Sequence, residues 1–154
     1  MLNTIGYEGA DLSDFIETLK LANIQTVIDI RDRAQSRRPG FSKSALSKLL
    51  SESGISYQHY RELGDPKEGR EAARANDLSR FKAIFSKVLE SDAAQAALKK
   101  VIDVAESEVV CLLCYERDET HCHRKLVADK IETMTGNKAR HLGVRRFESD
   151  RKRA

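Results

Sequence analysis

The chain of 154 residues contains no tryptophan, and aromatic residues make up only 6% of it. This scarcity argues against a broad surface for stacking nucleic-acid bases. Long apolar runs are also missing. The longest, Val109 to Tyr115, is far shorter than the roughly 20 residues that a membrane-spanning helix needs. We therefore expect no membrane contact.

Cysteine is scarce, and the three cysteines form an odd set. The N-terminal residues pass directly into a strand-like stretch and show neither the basic nor the apolar region of a secretory leader. A disulfide framework is therefore not expected. We expect reduced thiols and a cytoplasmic location.

Hydrophobic residues make up 40% of the chain and charged residues 33%, which is typical of a globular protein with an ionic surface. The net charge of +3 is too small to indicate nucleic-acid binding by itself. The length suits one domain. We predict a single α/β domain over residues 1–144 and a flexible basic C-terminal tail over residues 145–154.

Strand and helix patterns alternate along the chain. Strands are predicted near residues 2–6, 26–30, 55–60, 109–115 and 139–142, and helices are predicted between most of them. The β-α-β beginning favours parallel pairing. The predicted fold is a mostly parallel open sheet of about five strands with helices on both faces. Residues 61–76 are predicted to be a polar loop, either a substrate-binding lid or a solvated connection.

Polar residues follow the predicted strands where each strand ends. If the strands are parallel, their ends share one edge of the sheet, where α/β proteins place their sites. The residues gathered there are Tyr7, Glu8, Asp29, Arg31, His59, Cys114 and Glu116, close to the helix that begins near Cys122.

The stretch from Cys114 to Arg124 is the richest in reactive groups. Cys111 and Cys114 have opposite parity on their strand, so Cys111 is expected to be a small buried hydrophobe. Cys122 is expected at a helix N-terminus, where the helix dipole favours a thiolate. A reactive or ligand-binding thiol and a structural cap both remain open for Cys122.

Three known chemistries were tested against this spacing. A phosphatase loop requires an arginine six positions after its cysteine, and Ala128 occupies that position. A rhodanese-like loop around one cysteine does not fit. A zinc site could use Cys114, Cys122 and either His121 or His123, but the paired C-x-x-C knuckle is absent.

Basic residues cluster between Arg31 and Lys43 and again after Arg145. The segment from Ser36 to Lys43 combines hydroxyls, cations and a helix start, which indicates an anion pocket. Phe41 and Phe147 are candidates for stacking against a base. A solvated charged surface is the alternative for both segments.

The motifs also resemble those of a bacterial and archaeal family known as domain of unknown function 488. The resemblance rests on Ile5–Gly9, Val27–Arg31, Ser36–Lys43, the region from His59 to Gly64, and the paired signature Cys114-Tyr115-Glu116 and Cys122-His123-Arg124. It runs from Ile5 to about His141. It implies a single α/β domain whose motifs lie at strand ends and helix starts, and it implies no reaction.

The leading hypothesis is an enzyme, a hydrolase or transferase, that acts on an anionic phosphate-bearing substrate such as a nucleotide or nucleic acid. Candidate catalytic residues are Glu8, Glu116, Cys114, Cys122 and His123. Candidate substrate-binding residues are Tyr7, Asp29, Arg31, Ser36, Arg37, Lys43, His59 and Arg124. No cofactor or metal ligand is assigned, and the oligomeric state is not predicted. Two alternatives remain: a non-catalytic nucleic-acid-binding module, and a metal- or redox-responsive thiol protein.

Overall fold

The computed structural model of the chain describes residues 1–147. Five strands form one sheet in the order β3-β2-β4-β1-β5, and every neighbouring pair is parallel. The strands are β1 (Leu2–Gly6), β2 (Thr26–Asp29), β3 (Ser56–His59), β4 (Val110–Cys114) and β5 (Arg140–Leu142). This confirms the predicted α/β class and the parallel sheet.

Within residues 1–147, six α-helices connect or follow the strands. They are α1 (Leu12–Leu21), α2 (Lys43–Glu52), α3 (Lys67–Arg74), α4 (Leu78–Glu90), α5 (Asp92–Ser107) and α6 (His123–Thr135). Helix α6 ends at Gly136, whose φ of 80° is the left-handed conformation that glycine adopts most easily. Within residues 1–147, no helix is both long and apolar enough to cross a bilayer.

The helices cover both faces of the sheet, as predicted. Helices α1 and α2 pack on one face through Phe15, Leu19, Leu46 and Leu50, and helices α3 to α6 contribute Ala72, Phe81, Phe85, Leu98, Val101 and Val127 to the other. Alternate residues of β4 enter the two cores, because successive strand side chains point to opposite faces. Cys111 lies in the first core and Leu112 in the second.

The segment from residue 61 to 76 differs from the predicted polar loop. It contains a 3₁₀ turn at Arg61–Leu63 followed by α3. Leu63 and Ala72 are buried against α4 and α5, so tertiary packing gives helical structure to a sequence with little apolar periodicity. This segment carries charged side chains towards the carboxyl edge of the sheet.

The beginning of the predicted tail contacts α1. The Arg145 amide donates to Thr18 Oγ1 at 3.0 Å, and the Phe147 amide donates to Asp14 Oδ1 at 3.1 Å. The rest of the predicted tail, residues 148–154, lies outside the described residues. The division into a domain and a flexible tail therefore stays a prediction.

Candidate functional site

A cavity of about 440 Å³ opens where the chain leaves β1, β2 and β4. All three strands are parallel, so their carboxyl ends and the polar loops that follow them meet at this edge. A volume of this size lies within the range of about 300–1,000 Å³ found for small-ligand pockets. The segment after β3 completes the wall with residues that include Asp65, Arg70 and Arg74.

Most of the residues predicted from the sequence line this cavity. They are Tyr7, Arg31, Ser36, Arg37, Cys114, Glu116, Cys122 and His123. Polar residues from separate parts of the chain therefore meet at the predicted edge. Whether they perform catalysis or bind a substrate stays a prediction.

Five predicted residues lie beside or beneath the cavity instead. Glu8 is exposed and accepts a hydrogen bond from the Arg117 amide at 3.1 Å. Lys43 is exposed at the start of α2, and His59 Nε2 lies 2.7 Å from the Arg31 carbonyl oxygen. Asp29 and Arg124 are fully buried. These five residues contact the loops around the site rather than its interior.

Asp29 and Arg31 form a buried ion pair beneath the cavity. Arg31 Nη2 lies 2.7 Å from Asp29 Oδ2, and Arg31 Nε lies 2.9 Å from Asp29 Oδ1. Arg31 Nη1 also donates to the Tyr7 hydroxyl and to the Phe41 carbonyl. Burial alone would lower the pKa of Arg31, but the hydrogen bonds and charge of Asp29 outweigh it and raise that pKa. The pair therefore fixes Tyr7 and the loop before α2.

Arg124 is a second buried cation, and it supports the loop after β4. Its Nε donates to Thr4 Oγ1 at 3.2 Å, its Nη2 donates to the Arg117 carbonyl at 3.0 Å, and its Nη1 donates to the Glu116 carbonyl. A Cβ on Gly6 would lie only 1.8 Å from the Glu116 carbonyl oxygen, so β1 must carry glycine there. Arg124 therefore positions Glu116 from behind the cavity.

The cysteines differ from the expectation of three reduced thiols. A disulfide joins Cys114, at the end of β4, to Cys122, at the N-cap of α6. The intervening loop returns the chain to the edge of the sheet, so two cysteines eight positions apart meet, which counting cysteines cannot reveal. Cys111 is free and fully buried, which confirms its prediction as a small core residue.

His123 lies beside the disulfide, and the contacts of its two ring nitrogens define the orientation of its ring. Its Nε2 lies 2.6 Å from the Ile30 carbonyl oxygen, so Nε2 carries the proton and donates it. Its Nδ1 lies 3.7 Å from Cys122 Sγ. Burial is the main cause that lowers the pKa of His123 to about 4, and the imidazole is therefore neutral at pH 7.

Asp65 is the most unusual group in the cavity, and the sequence analysis missed it. Its Oδ1 is buried without a hydrogen-bond partner within residues 1–147. A Cβ on Gly69 would lie 1.9 Å from that oxygen, so glycine leaves room for the carboxyl group. Burial, followed by the charge of Glu116, raises the pKa of Asp65 to about 7. Asp65 therefore exchanges a proton near neutral pH.

Glu116 is the second carboxyl group of the cavity. Burial is the main cause that raises its pKa, and the charge of Glu8 raises it further, while Arg124 acts in the opposite direction. Each carboxylate disfavours ionisation of the other, because Asp65 also senses the charge of Glu116. The cavity therefore holds two carboxyl groups whose pKa values are both raised.

Cations surround these carboxyl groups. The arginines lining the cavity are Arg31, Arg33, Arg37, Arg38, Arg70 and Arg74, and its carboxylates are Asp32, Asp65 and Glu116. Within residues 1–147, Arg33, Arg37 and Arg74 have no ion-pair partner. Arg70 pairs with Asp32 at 3.2 Å. The exposed rim of the cavity thus carries positive charge available to an anion.

Arg70 and Arg74 lay in the predicted polar loop, and no pattern in the sequence assigned them to the site. Their alternation with alanine and glycine along α3 gives a weak signal at best. Asp65 is equally inconspicuous, since an aspartate before a proline normally reads as a turn residue. Asp65 differs from an ordinary turn residue because it is buried, and its burial depends on how α3 packs.

Replacement of Asp65 with asparagine is expected to stabilise the protein at pH 8 relative to its effect at pH 5. Because the folded-state pKa lies above the unfolded one, the wild type loses stability as pH rises towards about 7, and asparagine has no such loss. The relative gain between pH 5 and pH 8 is roughly 2–3 kcal/mol. Urea unfolding of both proteins at the two pH values measures it.

The matched control is Asp129→Asn, which changes a half-exposed carboxylate on α6. Its effect on the free energy of unfolding should vary by less than about 0.5 kcal/mol between pH 5 and pH 8. An Asp65→Asn curve parallel to that of the wild type at both pH values would contradict the raised pKa.

The family model described as "Domain of unknown function DUF488" matches residues 11–131, which is most of the chain. No curated protein and no solved structure matches the chain. The match includes the buried ion pair, the basic loop, α3 and the disulfide.

Proposed function

Since this chain belongs to the DUF488 family, whose description assigns no activity, we propose its function from the site: an enzyme that acts on a phosphate-bearing nucleotide by acid–base transfer. The observation that carries the proposal is a carboxyl pair, Asp65 and Glu116, inside an arginine-lined cavity. A carboxyl pair provides proton transfer, and the arginines provide an anion site.

The unpaired arginines support a phosphate-bearing substrate. Arg33 and Arg37 lie on the loop between β2 and α2, and Arg74 lies at the end of α3 on the same cavity. A guanidinium group donates two parallel hydrogen bonds to a phosphate. Ser36 adds a hydroxyl group beside Arg37. Lys43 and Arg124, two of the predicted phosphate-binding residues, lie outside the cavity and have no part in this proposal.

One aromatic side chain favours a nucleotide over inorganic phosphate. Tyr115 lines the cavity with 44% of its surface exposed, and its ring meets that of Tyr7 edge to face at 5.4 Å. Tyr7 stacks in turn on Phe41 at 4.4 Å, which fixes this aromatic wall. A base stacked on an aromatic ring gains about 1–3 kcal/mol. The cavity volume also suits a mononucleotide.

The carboxyl pair suits hydrolysis. With Asp65 protonated and Glu116 ionised, Glu116 takes a proton from water as the water oxygen bonds to the substrate. The protonated carboxyl group gives its proton to the leaving group as the old bond breaks. No net proton is gained or lost. Asp65 is the preferred acid, since its pKa of about 7 keeps it partly protonated at neutral pH.

Titration of adenosine 5′-monophosphate into the protein tests the anion site. Arg37→Ala is expected to weaken binding about tenfold or more, because a charge-assisted hydrogen bond contributes about 1.5–3 kcal/mol. Wild-type affinity should also fall as salt rises. Arg80→Ala is the control, since Arg80 is exposed on α4 and outside the cavity. Equal binding by all three proteins would overturn the anion site.

Turnover tests the enzyme separately from the anion site. A panel of nucleotides incubated with the protein and analysed by chromatography should yield a product. Asp65→Asn is expected to lower that rate about 10²- to 10⁴-fold while binding persists. If the protein binds nucleotides but turns none of them over, the enzyme hypothesis is wrong and the alternative of a non-catalytic nucleic-acid-binding module stands.

A further inference from the structure

Three potential metal ligands meet at one end of the cavity. The ligand atoms of Cys114, Cys122 and His123 all lie within 4.8 Å of one another, and all three residues are buried. They come from two separate elements, the end of β4 and the start of α6. Two sulfurs and one imidazole nitrogen form a ligand set that zinc prefers.

The imidazole of His123 is oriented for coordination. Because its Nε2 donates to the Ile30 carbonyl, its Nδ1 carries the free lone pair on the side of Cys122 Sγ. A second hydrogen bond of this kind fixes the tautomer of most metal-binding histidines. The ring of Phe85 packs edge-on against the imidazole at 5.3 Å and holds its plane.

Both sulfurs receive hydrogen bonds that favour thiolates. Arg124 Nη1 lies 3.3 Å from Cys114 Sγ, and the Arg124 amide lies 3.4 Å from Cys122 Sγ at the N-cap of α6. Within residues 1–147, the buried guanidinium of Arg124 has no carboxylate ion pair. A thiolate in direct contact with this cation would supply the contacting negative charge that no carboxylate of these residues provides.

The backbone spacing also suits a bridging ion. The Cα atoms of Cys114 and Cys122 lie 7.4 Å apart, whereas disulfides commonly span about 4.4–6.8 Å. With zinc–sulfur bonds of about 2.3 Å, two tetrahedral ligands place their sulfurs about 3.8 Å apart. The wide Cα–Cα spacing of Cys114 and Cys122 fits this sulfur–sulfur separation around a zinc ion.

We propose that, once the Cys114–Cys122 disulfide is reduced, Cys114 Sγ, Cys122 Sγ and His123 Nδ1 bind one zinc ion whose fourth position faces the cavity. All three residues line that cavity, so water or a substrate oxygen supplies the fourth ligand. The disulfide and the metal exclude each other, because the same two sulfurs form both. This site depends on its own three side chains and does not require the proposed reaction.

Metal analysis of the reduced protein tests the site. A phosphine reductant takes an oxygen from water, becomes a phosphine oxide and leaves two thiols, which lose their protons when zinc binds. After incubation with zinc and removal of the excess under anaerobic conditions, reduced wild type should retain about one zinc per chain. The disulfide form should retain about none. Cobalt in place of zinc should give thiolate charge-transfer and tetrahedral ligand-field bands.

Two variants separate the ligands from the remaining thiol. Cys122→Ser keeps an N-cap acceptor for α6 and is expected to lose the bound zinc. Cys111→Ala removes the buried core thiol and is expected to keep one zinc per chain. Reduced, folded wild type without zinc would overturn the proposal, as would loss of zinc in Cys111→Ala or full retention in Cys122→Ser. Binding of adenosine 5′-monophosphate is measured separately, so either proposal can fail alone.

Discussion

Replacement of Arg124 with methionine is expected to lower the free energy of unfolding by about 3–5 kcal/mol. Methionine fills much of the same volume but donates no hydrogen bond. The carbonyl oxygens of Glu116 and Arg117, together with Thr4 Oγ1, then lose their charged hydrogen-bond donor. Because Arg124 is fully buried, water cannot easily replace that donor. Urea unfolding followed by circular dichroism measures the loss.

The matched control is Arg117→Met, because Arg117 lies on the same loop with an exposed side chain. Its carbonyl accepts from Arg124 whatever its side chain is. The control should change the unfolding free energy by less than about 0.5 kcal/mol. Equal effects of the two substitutions would show that Arg124 does not support the loop.

The fold was largely predictable from the sequence because the three central strands β1, β2 and β4 have strong local signals. The stretch Val110–Cys114 is apolar throughout since β4 is buried on both faces, and Asp77 and Gly136 are residue types that favour the helix ends at which they lie. Helix α3 was not predictable in this way. Its stability depends on Ala72 packing against other helices, a contact that leaves no periodic pattern in eight mostly charged residues.

The site was predictable where residues sit at strand ends, and unpredictable where burial changes their chemistry. Tyr7, Glu116 and Cys114 could be assigned to one edge from parallel pairing alone. Asp65 could not, because its raised pKa depends on α3 covering its carboxyl group. Arg124 shows the converse, since a conspicuous arginine in a motif proves to lie beneath the cavity.

The two buried arginines share one physical function. Each binds backbone carbonyls of a loop at the carboxyl edge, Arg31 that of Phe41 and Arg124 those of Glu116 and Arg117. The loop fixed by Arg124 holds Glu116 where its carboxyl group is poorly solvated. A protein tolerates such destabilised groups only when the surrounding structure is firmly anchored. Stability of these supports and chemistry of the cavity are therefore coupled.

Replacement of Asp29 with alanine is the second substitution with a large expected effect. It should lower the free energy of unfolding by about 3–5 kcal/mol. The guanidinium of Arg31 would stay buried with only the Tyr7 hydroxyl and the Phe41 carbonyl as partners. Tyr57 would also lose the carboxylate to which its hydroxyl donates. Urea unfolding at pH 7 measures the loss.

Asp129→Ala breaks an ion pair of similar length on the surface, where Lys125 Nζ lies 2.8 Å from Asp129 Oδ2, and should cost less than about 1 kcal/mol. The double variant Asp29→Ala with Arg31→Met removes both charges at once. It should therefore cost less than the sum of its two single substitutions, because each single substitution leaves an unpaired buried ion and the double variant leaves none. Additive losses would mean that the two charges do not stabilise each other. In that case Arg31 would retain enough free charge to contact an anion in the cavity directly, and the phosphate site would include it.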